Sequence, residues 1–359
     1  MKKLPRLPLL TLLAPCLFCF AAWHPAAPAD KTLDIYWIDT EGGAATLIVT
    51  PKGESLLVDA GNAGDRDPAR IVRVAREVAG LTKIDHHIIT HWHGDHFGGT
   101  EAVAKELPIR HFYDHGPSVE PGDFEKKFAW YVKLSEGKRT VLKPGDEIRL
   151  ASLPDGPPLR LVCVCAAGKV LPNADGSQPT DDGCDKHPAQ PEDPSDNAQS
   201  VGFKLSFGEF DFLDCGDLTW NIEHRLACPE NRIGTVDVYQ TNHHGLAVSN
   251  NPALVHAIAP RVVVMNNGPC KGAELPVIKT LRNSPGLETI FQVHRNVRAS
   301  DDDNAPVEFI ANMDEQCEGD YVWLKVDSTG KTYTVAAGAK GRPHTVKSRY
   351  PLDCPRDGG

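Results

Sequence analysis

Residues 91–97 read His91-Trp92-His93-Gly94-Asp95-His96-Phe97, and this stretch decides the fold. Four metal-capable side chains, His91, His93, Asp95 and His96, fall within six positions. An apolar, β-prone run over 84–90 precedes them, and Gly98-Gly99 with a helix-like segment over 100–107 follows. Imidazole and carboxylate together suit zinc and its neighbours. The spacing differs from the helical H-E-x-x-H pattern, which sets its ligands one turn apart. Here the ligands alternate and then become adjacent, so a loop wrapped around the metal has to carry them.

At these residues the chain resembles the metallo-β-lactamase superfamily, whose central motif is His-x-His-x-Asp-His at the end of a strand. The resemblance runs from about Leu33 to His294. It implies an α/β fold, the αβ/βα four-layer sandwich of two mixed sheets flanked by helices. Asp59 closes a strand over 55–58, and the resemblance gives it the task of orienting the metal loop by hydrogen bonds. Asp217 follows two strand-like runs, 201–207 and 209–213, and precedes a predicted helix over 219–226; the family places a metal-bridging Asp there. A strand over 236–240 leads into Thr241-Asn242-His243-His244-Gly245, where the family puts its last metal His. The double His with a Gly, and Asn197 and Ser200 ahead of Gly216-Asp217, are similar to the branch found in DNA-uptake competence proteins. That branch's Val-Gly-Gln-Gly-Asp is absent, and Thr40-Glu41-Gly42-Gly43-Ala44 stands in its place.

The implied cofactor is zinc, as two ions. His91 and His93 would hold the first; Asp95, His96 and one of His243 and His244 the second; Asp217 would bridge them. Many family members give the first ion a third His, and here Asn197 stands at that place. An amide oxygen is a weaker zinc ligand than imidazole, so this site is loose, completed by water, or suited to manganese. Neighbouring residues at a strand end point to opposite sides. On that ground His244 is assigned as the ligand, and His243 faces the cleft, where it binds the substrate oxygen or protonates the leaving group. Asp95, His243 and Asp59 form the expected catalytic set.

The rest of the chain sets the context. Its 359 residues suffice for one large domain or two ordinary ones. Residues 1–29 read as a signal peptide, with Lys2, Lys3 and Arg6, an apolar core over 7–22, and Ala27-Pro28-Ala29 before Asp30; an uncleaved anchor is the alternative. Residues 30–359 then form one secreted or periplasmic domain, with a C-terminal hairpin extension over 321–326 and 331–335. No transmembrane segment is expected after signal removal. Without Lys2, Lys3 and Arg6 the basic residues fall from 38 to 35 against 48 acidic ones, a balance of −13. So acidic a chain is poorly suited to gripping long nucleic acid, whose binding rests on phosphate neutralisation. A small-molecule or short oligomeric substrate is expected, and the sequence gives no indication of oligomeric state.

Ten cysteines become eight when Cys16 and Cys19 leave with the signal, and export predicts two to four disulfides. Cys163 and Cys165 share one face of a strand and are not expected to pair while extended. Cys184 is placed to staple a Pro-, Asp-, Gly- and Asn-rich loop over 168–196. A helix over 68–80 has Ile71, Val74, Ala75 and Val78 as its apolar stripe and Arg70, Arg73 and Arg76 as a solvated face. His86 and His87 read as ordinary strand residues, and His111 and His115 as loop residues covering the site.

Three functions fit. The first is a metal-dependent hydrolase using a metal-bridged hydroxide on phosphoesters or phosphodiesters. The second is hydrolysis of a β-lactam or lactone on the same fold. The third, of another class, is a non-catalytic metal-containing binding protein.

Overall fold

A computed structural model describes residues 31–172 and 184–349; the expected signal peptide lies outside the described residues. The strands are β1 (Leu33–Trp37), β2 (Thr46–Val49), β3 (Ser55–Val58), β4 (Ile84–Ile88), β5 (Ile109–Asp114), β6 (Arg139–Val141), β7 (Glu147–Ile148), β8 (Leu159–Ala166) and β9 (Lys169–Val170). There follow β10 (Gly202–Phe207), β11 (Phe210–Asp214), β12 (Val238–Gln240), β13 (Val262–Met265), β14 (Thr289–His294), β15 (Ile310–Asn312), β16 (Val322–Val326), β17 (Thr332–Ala337) and β18 (His344–Lys347). They build two nine-stranded sheets. The first runs β18-β17-β16-β1-β2-β3-β4-β5-β6; the second runs β15-β14-β13-β12-β11-β10-β8-β7, with β9 paired to β8. Both are mixed: β1–β3 pair antiparallel and β3–β6 parallel in the first, β8, β10 and β11 antiparallel and β11–β15 parallel in the second.

The layers follow from which faces are apolar. Between the sheets lies one core that interdigitates Leu33, Ile35 and Trp37 with Phe203, Phe212 and Val264. The outer face of the first sheet packs Leu47 and Leu57 against Ile71, Val74 and Val103 of the helical segments. The outer face of the second packs Val263 and Tyr239 against Leu226, Leu254 and Ile278. Helix, sheet, sheet and helix stack as the αβ/βα sandwich that the resemblance implies. Polar contacts also cross the middle: Trp37 Nε1 and Thr46 Oγ1 both donate to Gln240 Oε1, at 2.8 Å each.

Three local expectations are corrected. The hairpin of β16 and β17 is no extension; β16 pairs with β1 and continues the first sheet, because Val322, Leu324 and Val326 carry the inner apolar face. The helix Arg66–Arg73 passes into a π-helical turn, Val74–Val78, and Arg70 is buried rather than solvated. Its guanidinium meets Asp39 Oδ2 at 3.0 Å and donates to the Cys317 carbonyl at 2.9 Å, a partnership between residues too distant in sequence to foresee. Finally, one disulfide, Cys184–Cys228, is present among the described residues, below the two to four expected. Cys163, Cys165 and Cys215 are instead buried as small apolar residues, and Cys354 lies outside the described residues.

Candidate metal centre

The site forms where parallel strands of both sheets end, the usual place for ligands in α/β sheets. β3 delivers Asp59, β4 delivers Thr90 and the histidine loop, β11 delivers Asp217, and β12 delivers His243 and His244. Asp59, at φ 58°, turns its carboxylate across to the next strand: Oδ1 accepts from Thr90 N (2.8 Å), and Oδ2 accepts from Thr90 Oγ1 (2.7 Å) and His96 Nδ1 (2.6 Å). The loop can lie this close only because Gly99 has no Cβ; one there would stand 2.1 Å from the Ala60 carbonyl oxygen.

Asp95, His96, Asp217 and His244 bring donor atoms within 4.8 Å of one another. His96 Nε2 lies 3.1 Å from Asp217 Oδ1 and 3.2 Å from His244 Nε2; His244 Nε2 lies 3.4 Å from Asp217 Oδ2 and 3.6 Å from Asp95 Oδ2. Each of these imidazoles is held by its other nitrogen, His96 Nδ1 by Asp59 and His244 Nδ1 by the Asn266 carbonyl at 3.2 Å. This is how metal-binding histidines are oriented. His91 is fully buried beside them, its Nε2 4.0 Å from Asp217 Oδ2, without a hydrogen-bond partner. Asn197 Oδ1 is likewise buried and unpartnered, while Asn197 Nδ2 lies 3.5 Å from His243 Nε2.

Two carboxylates in so dry a cluster draw positive charge. Burial opposes ionisation of Asp217 most strongly, yet His244, His96 and His243 around it hold the carboxyl well below the usual range. Burial likewise opposes protonation of His96, but Asp217 and Asp59 together raise it well above an ordinary imidazole. His91 moves the other way, held well below by burial and by the His96 charge, so it keeps a bare nitrogen. A divalent cation meets the same field as the His96 proton. The four His and Asp donors therefore fit a divalent ion of the zinc class, and the unpartnered His91 Nε2 stands beside them.

His93 stands somewhat apart. Its ring centroid is 4.7 Å from that of His91, and its Nε2 meets Glu120 Oε1 at 3.3 Å. Glu120 also accepts from Asp196 N, and Asp196 ties the surroundings together. Its Oδ2 accepts from Trp92 N (2.7 Å) and pairs with His115 Nε2 (3.0 Å); its Oδ1 accepts from Ser118 Oγ (3.1 Å) and Val119 N (2.9 Å). His115 is thus buried against Asp196 and Trp92, whereas His111 sits exposed on β5. Lys271 Nζ pairs with Asp95 Oδ2 at the rim. Sequence reasoning gave no role to Lys271, Glu120 or Asp196. Asp196 opens the Asp-Asn-Ala-Gln-Ser stretch and was within reach of it; nothing near Lys271 or Glu120 marks either.

His243 and His244 do not alternate as strand neighbours. They occupy a 3₁₀ turn, Asn242–Gly245, both in the left-handed region at φ 53° and 57°. The turn, rather than strand alternation, sends His244 inward and leaves His243 on the wall of a cleft of about 390 Å³ lined also by Asn197, Thr219, Trp220 and Asp193.

Residues 38–162 match the family model described as Metallo-beta-lactamase superfamily. A lactamase-like protein, notP, of an Aspergillus species is 31% identical over 119 residues, 33% of this chain and 34% of that protein. A UPF0173 metal-dependent hydrolase of a Polaromonas species is 33% identical over 127 residues, 35% of this chain and 40% of that protein. The chain therefore spans about a third of the length of the curated relatives it matches. Among solved structures, the metallo-beta-lactamase fold protein YhfI of Bacillus subtilis aligns over 73% of this chain and 96% of its own, with a TM-score of 0.42 and 12% identity. These relatives are named as metal-dependent hydrolases and lactamase-like proteins rather than competence proteins, which corrects the narrower of the two resemblances. The matched stretch holds the histidine loop and the strands that carry it, and over that stretch the chain is similar to the metallo-β-lactamase superfamily.

Proposed function

We propose that this chain is an exported metal-dependent hydrolase that cleaves phosphoesters or phosphodiesters with the help of two divalent ions, zinc in both sites or manganese in the weaker one. One observation carries the reading: Asp95, His96, Asp217 and His244 converge within 4.8 Å, with the unpartnered His91 Nε2 4.0 Å from Asp217 and with His243, on the cleft wall, 3.4 Å from Asp217. Divalent ions held there supply Lewis acidity toward the substrate oxygen and ease deprotonation of water. The remaining work falls to the chain. Asp59, Thr90 and the Asn266 carbonyl fix the imidazoles, so no reorganisation is needed as charge develops. Lys271, beside Asp95, adds a cation at the rim that favours an anionic substrate. His243, with Nδ1 against Ser249 Oγ at 3.3 Å and Nε2 toward Asp217, is placed to hydrogen-bond the substrate or protonate its leaving group. Export rests on the basic start and the Ala27-Pro28-Ala29 site, and a short or small substrate on the acidic balance.

The metal-reconstituted protein should turn over a phosphodiester in a panel that also holds a phosphomonoester, a β-lactam and a lactone. Turnover confined to the β-lactam or lactone would move the chain to the second reading. Metal uptake with no turnover of any of the four would make it a binding protein.

A further inference from the structure

Outside this centre, a second group of unlike donors converges where the two sheets meet. Asp39 follows β1, His294 ends β14 of the other sheet, and Cys317 lies between β15 and β16; their donor atoms are within 4.8 Å of one another. Cys317 Sγ is 3.2 Å from Asp39 Oδ2 and 3.7 Å from His294 Nε2. Tetrahedral zinc, with sulfur at about 2.3 Å and nitrogen at about 2.0–2.1 Å, would set those two donors about 3.6 Å apart. The imidazole is prepared for such use: His294 is fully buried, and its Nδ1–H donates to the Arg295 carbonyl at 3.1 Å, which leaves the lone pair on Nε2 facing the sulfur. The thiol is also built into place. Arg70 donates to the Cys317 carbonyl and Arg73 to the Gly319 carbonyl. Gly319, at φ 75°, has no Cβ, which would otherwise strike the Arg70 guanidinium.

We propose that Asp39, His294 and Cys317 form a third, mononuclear site for zinc or a similar borderline divalent ion, with solvent as the fourth ligand on the half-exposed side of Cys317. The Arg70 charge beside it does not exclude a cation, since Glu41 Oε1, 3.2 Å from the same guanidinium, supplies a second counter-charge. Thiolate and carboxylate then neutralise the ion, which gives up nothing to the phosphoester chemistry and clips β1 to β14. Of the other sulfur-containing groups, Cys184, His224 and Cys228 also approach one another, but their sulfurs are joined to each other.

Cobalt(II) separates this site from the other, because the candidate active centre contains no sulfur. Titrating the full mature chain with cobalt should produce a cobalt–thiolate charge-transfer absorption that saturates at one equivalent. It should vanish in Cys317→Ser, fall in His294→Asn and persist in Asp217→Ala. Bound zinc should drop by one equivalent in Cys317→Ser, with the melting transition still cooperative and phosphodiester turnover unchanged. No such absorption in the parent chain, or an undiminished one in Cys317→Ser, would overturn the proposal.

Discussion

His243 and His244 are adjacent, equally capable of ligation, and held in a conformation that residues with a Cβ seldom adopt. Two successive left-handed residues cost of order 1–3 kcal/mol each and persist where the surroundings fix them. Here the surroundings are Asn242, whose Nδ2 donates to Glu223 Oε1, and Asn250, whose Nδ2 donates to the Asn242 carbonyl at 2.9 Å. The turn buries His244 and leaves His243 on the cleft wall. His244→Ala should lose bound metal along with turnover. His243→Ala should keep its metal and slow turnover by about 10²–10⁴, most for poor leaving groups. Metal analysis and single-substrate kinetics of the two variants decide it, and the opposite pattern would exchange the assignments.

At the scale of elements, the long segment before β10 forms one wall of the cleft. It is fastened to the helix Trp220–Ala227 by Cys184–Cys228, by Trp220 Nε1 donating to the Pro188 carbonyl at 3.1 Å, and by two bonds between Asn221 and Gln190. The crosslink spans 44 residues. Replacing both cysteines by serine should cost about 2–4 kcal/mol in denaturant unfolding and raise KM more than it lowers kcat, since the wall loosens while the donor cluster stays. Much of this level was legible. The strands around the histidine loop follow from alternation and turn residues, and the ends of those strands locate Asp59, Asp217 and His244. What was not legible depends on distant partners. Arg70 looks solvated until Asp39 and Cys317 arrive from the first strand and the C-terminal third. Glu120 and Lys271 sit in segments with no pattern of their own, and only the closure of both sheets brings them to the histidines. Trp92, which no sequence pattern marks, is buried among Phe124, Phe128 and Tyr131 and anchors the loop between two of its histidines.

Across the whole molecule, buried carboxylates tie stability to pH. Asp237 lies far along the chain from the histidine loop, where it accepts from Asp211 N and Arg349 N; burial pushes it up from 3.8 to about 7 despite those bonds. Because the folded pKa is raised, the folded chain binds the proton more tightly than the unfolded chain. The resulting stability is complete below about pH 4 and is lost as pH rises through about 7. Urea unfolding followed from pH 5 to pH 8 should show a decline of about 2–4 kcal/mol from this group, and Asp237→Asn should flatten it. An unchanged slope in the variant would remove Asp237 as its source.

In the proposed function Asp217 holds a metal pair between the two halves of the site. The direct measurement is the metal content of the Cys317→Ser chain with and without Asp217→Ala, after loading and exhaustive dialysis. Cys317→Ser removes the separate sulfur site from the count. Two equivalents in the first chain, and no more than one in the second with the fold intact by circular dichroism, are the predicted result. Equal metal content in the two chains would mean that Asp217 holds neither ion.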